Sequence, residues 1–261
     1  IFGISGYGIP IIGSMDDISN TSITNLKEWY KNYYNPSNAI IIIAGDIDFQ
    51  ATKKLIEKYY GKIENRKATQ TITPINHETS FDDIIVTDKV SQPIILMSYK
   101  HEPFSDLNRK EMYALELLFE LMDGSNSSRF TRNLIEKKQI AISTFISFDT
   151  YSARENLITF GGSPRIGVSP ERFKNEILNE FEDLISSGLN DGELDKVKSR
   201  LLARNIYKFD SVFYQVMQVG MLETKNYNWE LLDSYIMDIN SINESDLKNV
   251  IKKIILNKKY L

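Results

Sequence analysis

The chain has 261 residues, of which 42% are apolar and 25% charged, an ordinary balance for a globular protein that buries roughly 75% of its unfolded surface. A net charge of −4 argues against a basic nucleic-acid footprint, and no apolar run reaches the ~20 residues of a membrane-spanning helix. With no cysteine there are no disulfides and no thiolate metal sites.

The first residues, Ile1-Phe2-Gly3-Ile4-Ser5-Gly6, carry neither an initiator methionine nor a charged leader. They read as a cut end or a mature fragment, and residues 1–20 as Gly-rich and irregular. Thr21 or Ser22 can cap a helix over about 24–34, with an apolar stripe of Leu26, Trp29, Tyr30 and Tyr33. Pro36 stops it, having no N–H and a fixed φ. Ala39-Ile40-Ile41-Ile42-Ile43-Ala44 does not alternate, which predicts a strand covered on both faces. Gly45-Asp46 breaks that run, Asp48 can cap a helix to Tyr60, and Gly61 ends it. Residues 66–83 are polar and read as a linker between a first domain, 1–65, and a second, 84–261.

In the second part, Ile84–Val86 and Pro93–Tyr99 read as strands. Asp106–Met122 reads as a helix apolar on more than one face, hence largely buried. A loop at 123–128 and a short helix at 129–137 precede an antiparallel pair, 140–148 with 156–161. Ser169-Pro170-Glu171 opens a helix that Gly188 closes, with Phe173, Ile177, Phe181 and Leu184 at helical spacing. Residues 191–221 read as one long helix or two joined at Asp210-Ser211, and a last helix covers 244–255. Leu26-Lys27 and Lys31 find an echo in Leu247-Lys248 and Lys252. The second copy ends where the first enters its isoleucine run, so both ends of a two-copy architecture are expected to be cut short.

Residue chemistry alone offers no catalytic set. His77 and His101 have no second histidine three or four residues away, and they read as loop residues in solvent. Gly124-Ser125-Asn126-Ser127-Ser128 is not a nucleophile elbow, and Gly161-Gly162-Ser163-Pro164 is not a phosphate loop. Asp16-Asp17 and Asp82-Asp83 read as solvated turns.

A resemblance covers essentially the whole chain. Tyr7-Gly8-x-Pro10-x-x-Gly13, Leu26-x-x-Trp29-Tyr30, Tyr33-Tyr34-x-Pro36-x-Asn38-Ala39, Gly45-Asp46-Ile47-Asp48 and Tyr59-Tyr60-Gly61 occur in order. They are followed by Gln92-Pro93, Gly124-x-x-x-Ser128-Arg129, Glu136-Lys137-Lys138, Ile140-Ala141-x-Ser143 and Asp210-Ser211. This series resembles the insulinase/pitrilysin family of inverted-motif zinc peptidases. The resemblance implies an α+β fold of two homologous lobes, each a mostly antiparallel sheet with helices on one face, the first lobe lacking its N-terminal part and the second its last strand.

The family holds zinc through His-x-x-Glu-His and a downstream Glu, all preceding the region that matches Tyr7-Gly8. None of these can be placed on this chain, so zinc is the cofactor of the parent family and none is expected bound here. The family's substrate-orienting Arg and Tyr would fall at Ile135 and Ile142, both apolar. Two readings stay open: the C-terminal part of a zinc endopeptidase working with a homologous partner subunit or as a homodimer, or a non-catalytic peptide-binding scaffold. An upstream His-x-x-Glu-His would separate them. In either, Ser125, Ser127, Ser128, Arg129, Gly161 and Gly162 are candidates to line a chamber for an extended peptide, with no nucleic acid and no membrane span. Relatives with this layout are often exported, which implies a periplasmic or cell-envelope location.

Overall fold

A computed structural model describes residues 10–66 and 84–256. The chain divides into two compact units: Ile1–Ser80 with Ser211–Thr224, and Phe81–Asp210 with Lys225–Leu261. The Tyr7-Gly8 stretch, His77, Asp82-Asp83 and nearly all of the expected linker lie outside the described residues.

In the first unit, α1 (Met15–Asn20) is a helix where irregular chain was expected. Its signal is local: Ser14 accepts from the Asp17 N–H while the Asp17 carboxylate accepts from the Ser14 N–H, a capping box. Ser22 does the same with Asn25 to open α2 (Ile23–Tyr33). Asp48 accepts from the Ala51 N–H to open α3 (Phe49–Tyr60), and Gly61 closes it, as the sequence predicts. The unit is completed by α7 (Val212–Thr224), which groups with α1–α3 rather than with the helices that flank it in sequence.

The isoleucine run corrects the sequence reading. Residues 39–44 form no strand, and Ile40, Ile41 and Ile43 are about half exposed. A strand exists only where a neighbouring backbone takes its N–H and C=O groups, and among the described residues of this unit no strand does so. The helices behave alike: α1, α2 and α3 bury no side chain, so the Leu26, Trp29 and Tyr30 stripe is exposed. Four consecutive isoleucines report that a segment is meant to be buried, not that its partner is at hand.

The second unit holds the core. Strands β1 (Ile95–His101), β2 (Ala141–Ser147) and β3 (Asn156–Pro164) form an antiparallel sheet in the order β1-β3-β2. Met97 lies opposite Phe160 and Tyr99 opposite Ile158, all four fully buried on one face. Across that face runs α5 (Pro170–Ser187), capped by Ser169, with Phe181 5.3 Å from Phe160 and 5.7 Å from Phe130. Truncating a buried phenylalanine of this kind costs about 3–5 kcal/mol. Ile84–Val86, expected as a strand, forms no regular element and stands in solvent with no partner strand among the described residues.

Helix α4 (Arg109–Asp123) is the centre of the unit. Ten of its fifteen residues are buried, as its all-round apolar pattern requires. It packs against α6 (Glu193–Phe209), α8 (Leu231–Ser241) and α9 (Glu244–Val250), which runs on as a wider π-helical turn, Ile251–Leu256. The break expected at Asp210-Ser211 separates α6 from α7. Helix α8 was not anticipated from sequence. Its Leu231, Leu232, Tyr235, Ile236, Met237 and Ile239 populate several faces, so no single stripe marks it. His101 is not a solvent loop residue: it ends β1, is 2% exposed, and meets Phe148 edge-on with ring centroids 5.1 Å apart.

Candidate functional site

The expected site residues all lie in the second unit, around the start of β2. Helix α4 ends at Asp123, whose carboxylate accepts from Thr144 Oγ1 at 2.6 Å and from the Ile146 N–H. Thr144 pairs with Gly162 on β3, and Gly162 with Ile95 on β1. The loop 124–128 and the Gly161-Gly162 pair are thereby brought to one region of the sheet. Ser125 and Ser127 sit on the loop with their hydroxyls 3.1 Å apart, and Ser127 is exposed. Ser128 is 2% exposed and donates to Thr131 Oγ1 at 3.3 Å.

Arg129 is a strut. Its Nε donates to Glu193 Oε1 at 3.1 Å, and its Nη2 to Glu193 Oε2 at 2.7 Å and to the Gly188 carbonyl at 3.1 Å. One side chain thus ties the α4 loop to the end of α5 and the start of α6. Burial opposes the charge on Glu193, yet the Arg129 guanidinium and the Asn190 N–H hold its carboxyl below the usual range.

Gly161 and Gly162 serve close approach. A Cβ on Gly161 would lie 1.9 Å from the Ile95 carbonyl oxygen, and one on Gly162 2.0 Å from that of Ser143. Both neighbouring strands press on β3 here.

After Arg129 the chain runs through a π-helical turn, Thr131–Lys137, with the Lys138 N–H bonded to the Asn133 carbonyl at 2.8 Å. The extra residue is a feature often found at functional sites. Ile135 is half-buried on this turn, and Ile142 stands 42% exposed at the register shift of β2. These two apolar side chains occupy the positions where the resemblance sought Arg and Tyr, and they donate no hydrogen bond.

A further carboxylate escaped the sequence reading. Glu120 on α4 is 6% exposed, and two arginines of α6 hold it: Arg200 Nε at 2.9 Å from Oε1 and Arg204 Nη2 at 2.6 Å from Oε2. Its neighbours are Leu117 and Leu121, both buried. The run Leu117-Leu118-Phe119-Glu120-Leu121 has the spacing of His-x-x-Glu-His with leucine in place of each imidazole. That spacing was the signal available in the sequence. Zinc does not fit this set: two donors are hydrocarbon, and both oxygens of the third already face guanidinium groups. Among the described residues no three His, Cys, Asp or Glu side chains converge.

One turn back on α4, Glu116 accepts from Tyr235 OH at 2.6 Å and from Thr150 Oγ1 at 3.1 Å. Burial raises its carboxyl above the ordinary value despite these bonds and the Arg204 charge. Burial likewise pushes the nearby Tyr113 hydroxyl up to about 12. A carboxyl raised in the folded state carries its full penalty above the raised value, and the penalty disappears as pH falls toward the unfolded value. Glu116→Gln is therefore expected to stabilise the second unit at neutral pH. The advantage should shrink steadily as urea melts are repeated toward pH 4. A gain independent of pH would assign the effect to packing.

A groove of about 480 Å³ lies elsewhere on this unit, lined by Asp106, Arg109, Lys110, Tyr113, Asp238 and Ser241. Its cations are engaged: Arg109 with Asp106 and Asp238, Lys110 with Asp246.

Residues 20–201 match the family described as Peptidase M16 inactive domain. The zinc protease PqqE of Helicobacter pylori is 30% identical over 206 residues, 77% of this chain and 45% of that protein. A crystallised protease from Helicobacter pylori superposes with a TM-score of 0.83 at 25% identity, covering 95% of this chain and 60% of that one. An M16 inactive domain from Pseudomonas fluorescens superposes at 0.81 and 17% identity, covering 100% of this chain and 61% of that one. The chain thus spans about half the length of the curated relative. The buried Glu120 between leucines accords with that description, and the chain belongs to the M16 peptidase family, matching its inactive domain.

Proposed function

We propose that this chain is the part of an M16 zinc peptidase that holds an extended peptide while the metal ligands are supplied elsewhere. It would comprise parts of two homologous lobes, residues 1–65 and 84–261, forming part of a peptide-enclosing chamber. The observation that carries this reading is the match to the M16 inactive domain over 182 residues, 201 − 20 + 1, with a curated zinc protease at 30% identity. The α4 region supports it chemically, since Glu120 is neutralised by Arg200 and Arg204 rather than exposed to a metal. Peptide would be held through backbone pairing at a sheet edge, which gives affinity with little sequence demand, beside the exposed loop at Ser125 and Ser127. Ile135 and Ile142 favour a second reading, a non-catalytic scaffold of the same fold, because neither can orient a substrate carbonyl.

The test is fluorescence anisotropy of a labelled extended peptide with the purified chain, with and without added Zn²⁺. Saturable binding without turnover, unchanged by zinc, is expected. Peptide cleavage on zinc addition, or calorimetric zinc binding through three protein ligands, overturns the assignment. To separate the two readings, a metal-bearing M16 subunit is added: cleavage that depends on this chain supports the peptidase, and none supports the scaffold.

A further inference from the structure

The 480 Å³ groove on the second unit has a lining whose charges alternate. Arg109 stands between two carboxylates: its Nη2 meets Asp106, and its Nη1 lies 3.7 Å from Asp238. Beside it Lys110 reaches Asp246 at 2.7 Å. At the base is the buried Tyr113, which cannot swing aside. Its hydroxyl is 2.8 Å from that of Tyr151, and its ring meets Tyr235 edge-on with centroids 5.5 Å apart.

These contacts use only part of what the lining can offer. A guanidinium has five N–H donors and an ammonium three, more than the named carboxylates consume. Asp238 accepts from Ser234 Oγ at 2.9 Å, and a carboxylate has about four lone-pair sites. Ser241 Oγ gives its proton to the Asp238 carbonyl at 2.7 Å, so its oxygen is still an acceptor. One side of the groove therefore offers donors, from Arg109 and Lys110 in the first turn of α4. The other offers acceptors, from Asp238 and Ser241 in the last turn of α8. The two helix ends add to the same polarity, positive at the start of α4 and negative at the end of α8.

A ligand that is only an anion would face Asp106 and Asp238, and one that is only a cation would face Arg109 and Lys110. A molecule with both charges close together avoids either repulsion. The volume lies within the roughly 300–1,000 Å³ of small-ligand sites, too little for a long peptide. We propose that this groove binds a di- or tripeptide with both ends free. Its carboxylate meets Arg109 and Lys110, and its ammonium meets Asp238 and Ser241. The site does not rest on the extended-peptide reading above, in which backbone pairing and not the termini provides the grip.

The test is isothermal titration calorimetry of the full chain with alanyl-alanine, its N-acetyl form and its C-terminal amide. Saturable binding of the free dipeptide is expected, with each blocked form about tenfold weaker or more, the loss of one charged hydrogen-bonded end. Asp238→Asn should weaken the free dipeptide by a similar factor and leave the acetyl form as it was. Lys110→Gln should do the same to the free dipeptide and leave the amide as it was. Such matching of one residue to one end is a result that damage to the fold does not produce. Ser241→Ala, at an exposed position, tests the ammonium end again should Asp238→Asn not fold. A six-residue peptide with free ends should not displace alanyl-alanine, because its charges stand too far apart. No binding of the free dipeptide, equal binding of the blocked forms, variants that weaken all three alike, or displacement by the longer peptide each overturns the proposal.

Discussion

Arg129→Ala is expected to cost the second unit about 2–3 kcal/mol at neutral pH, because it removes the two-pronged guanidinium contact from a partly buried carboxylate. Glu193 would keep only the Asn190 groups and the more distant Arg132 guanidinium, at 3.6 Å, and the Gly188 carbonyl would lose its donor. Arg129→Lys should recover only part of the loss, since an ammonium cannot span two carboxylate oxygens as the planar fork does. The pH dependence has a definite sign. Glu193 titrates below its ordinary value in the folded protein, so its contribution is full above the unfolded value and is lost as pH falls through the folded one. The gap between wild type and Arg129→Ala in urea melts should therefore narrow in acid. A loss below about 1 kcal/mol, in the range of an exposed pair, would return Arg129 to the role of a substrate contact.

Gly161→Ala should be about as damaging, by a different route. The new methyl group would lie 1.9 Å from the Ile95 carbonyl oxygen, which belongs to backbone and cannot swing aside. Overpacking typically costs about 1–3 kcal/mol, and a clash between paired strands falls at or beyond the top of that range. Loss of the cooperative melt, or a denaturation midpoint lowered in proportion, is expected. Hydrogen exchange should show β1 separating from β3 before β2 does. A variant with unchanged stability would mean that β1 can shift along β3, and the pairing of Met97 with Phe160 would then need revision.

These two variants also show what the sequence could say. Local signals were legible: the caps at Ser22, Asp48 and Ser169, the stop at Gly188, and the dense apolar pattern of α4 correspond to what is observed. Each depends on groups a few residues apart. The isoleucine run and Ile84–Val86 were misread because strand formation depends on a distant backbone, which no window of sequence contains. Arg129 and the Gly161-Gly162 pair stand out in the sequence as candidates for a chamber wall, and the contacts observed for them are with Glu193 and the neighbouring strands. Glu120 was legible only as a spacing, once leucine is allowed where the family has histidine.

The grouping of α7 with α1–α3 has a practical consequence. The polypeptide passes between its two units three times, near residue 80, after Asp210 and after Thr224. No single proteolytic nick can release either unit intact. A fragment beginning after the linker would carry α7 without α1–α3, the helices with which it groups. Deleting Ser211–Thr224 and joining its ends with a short flexible connection is the economical way to isolate the second unit.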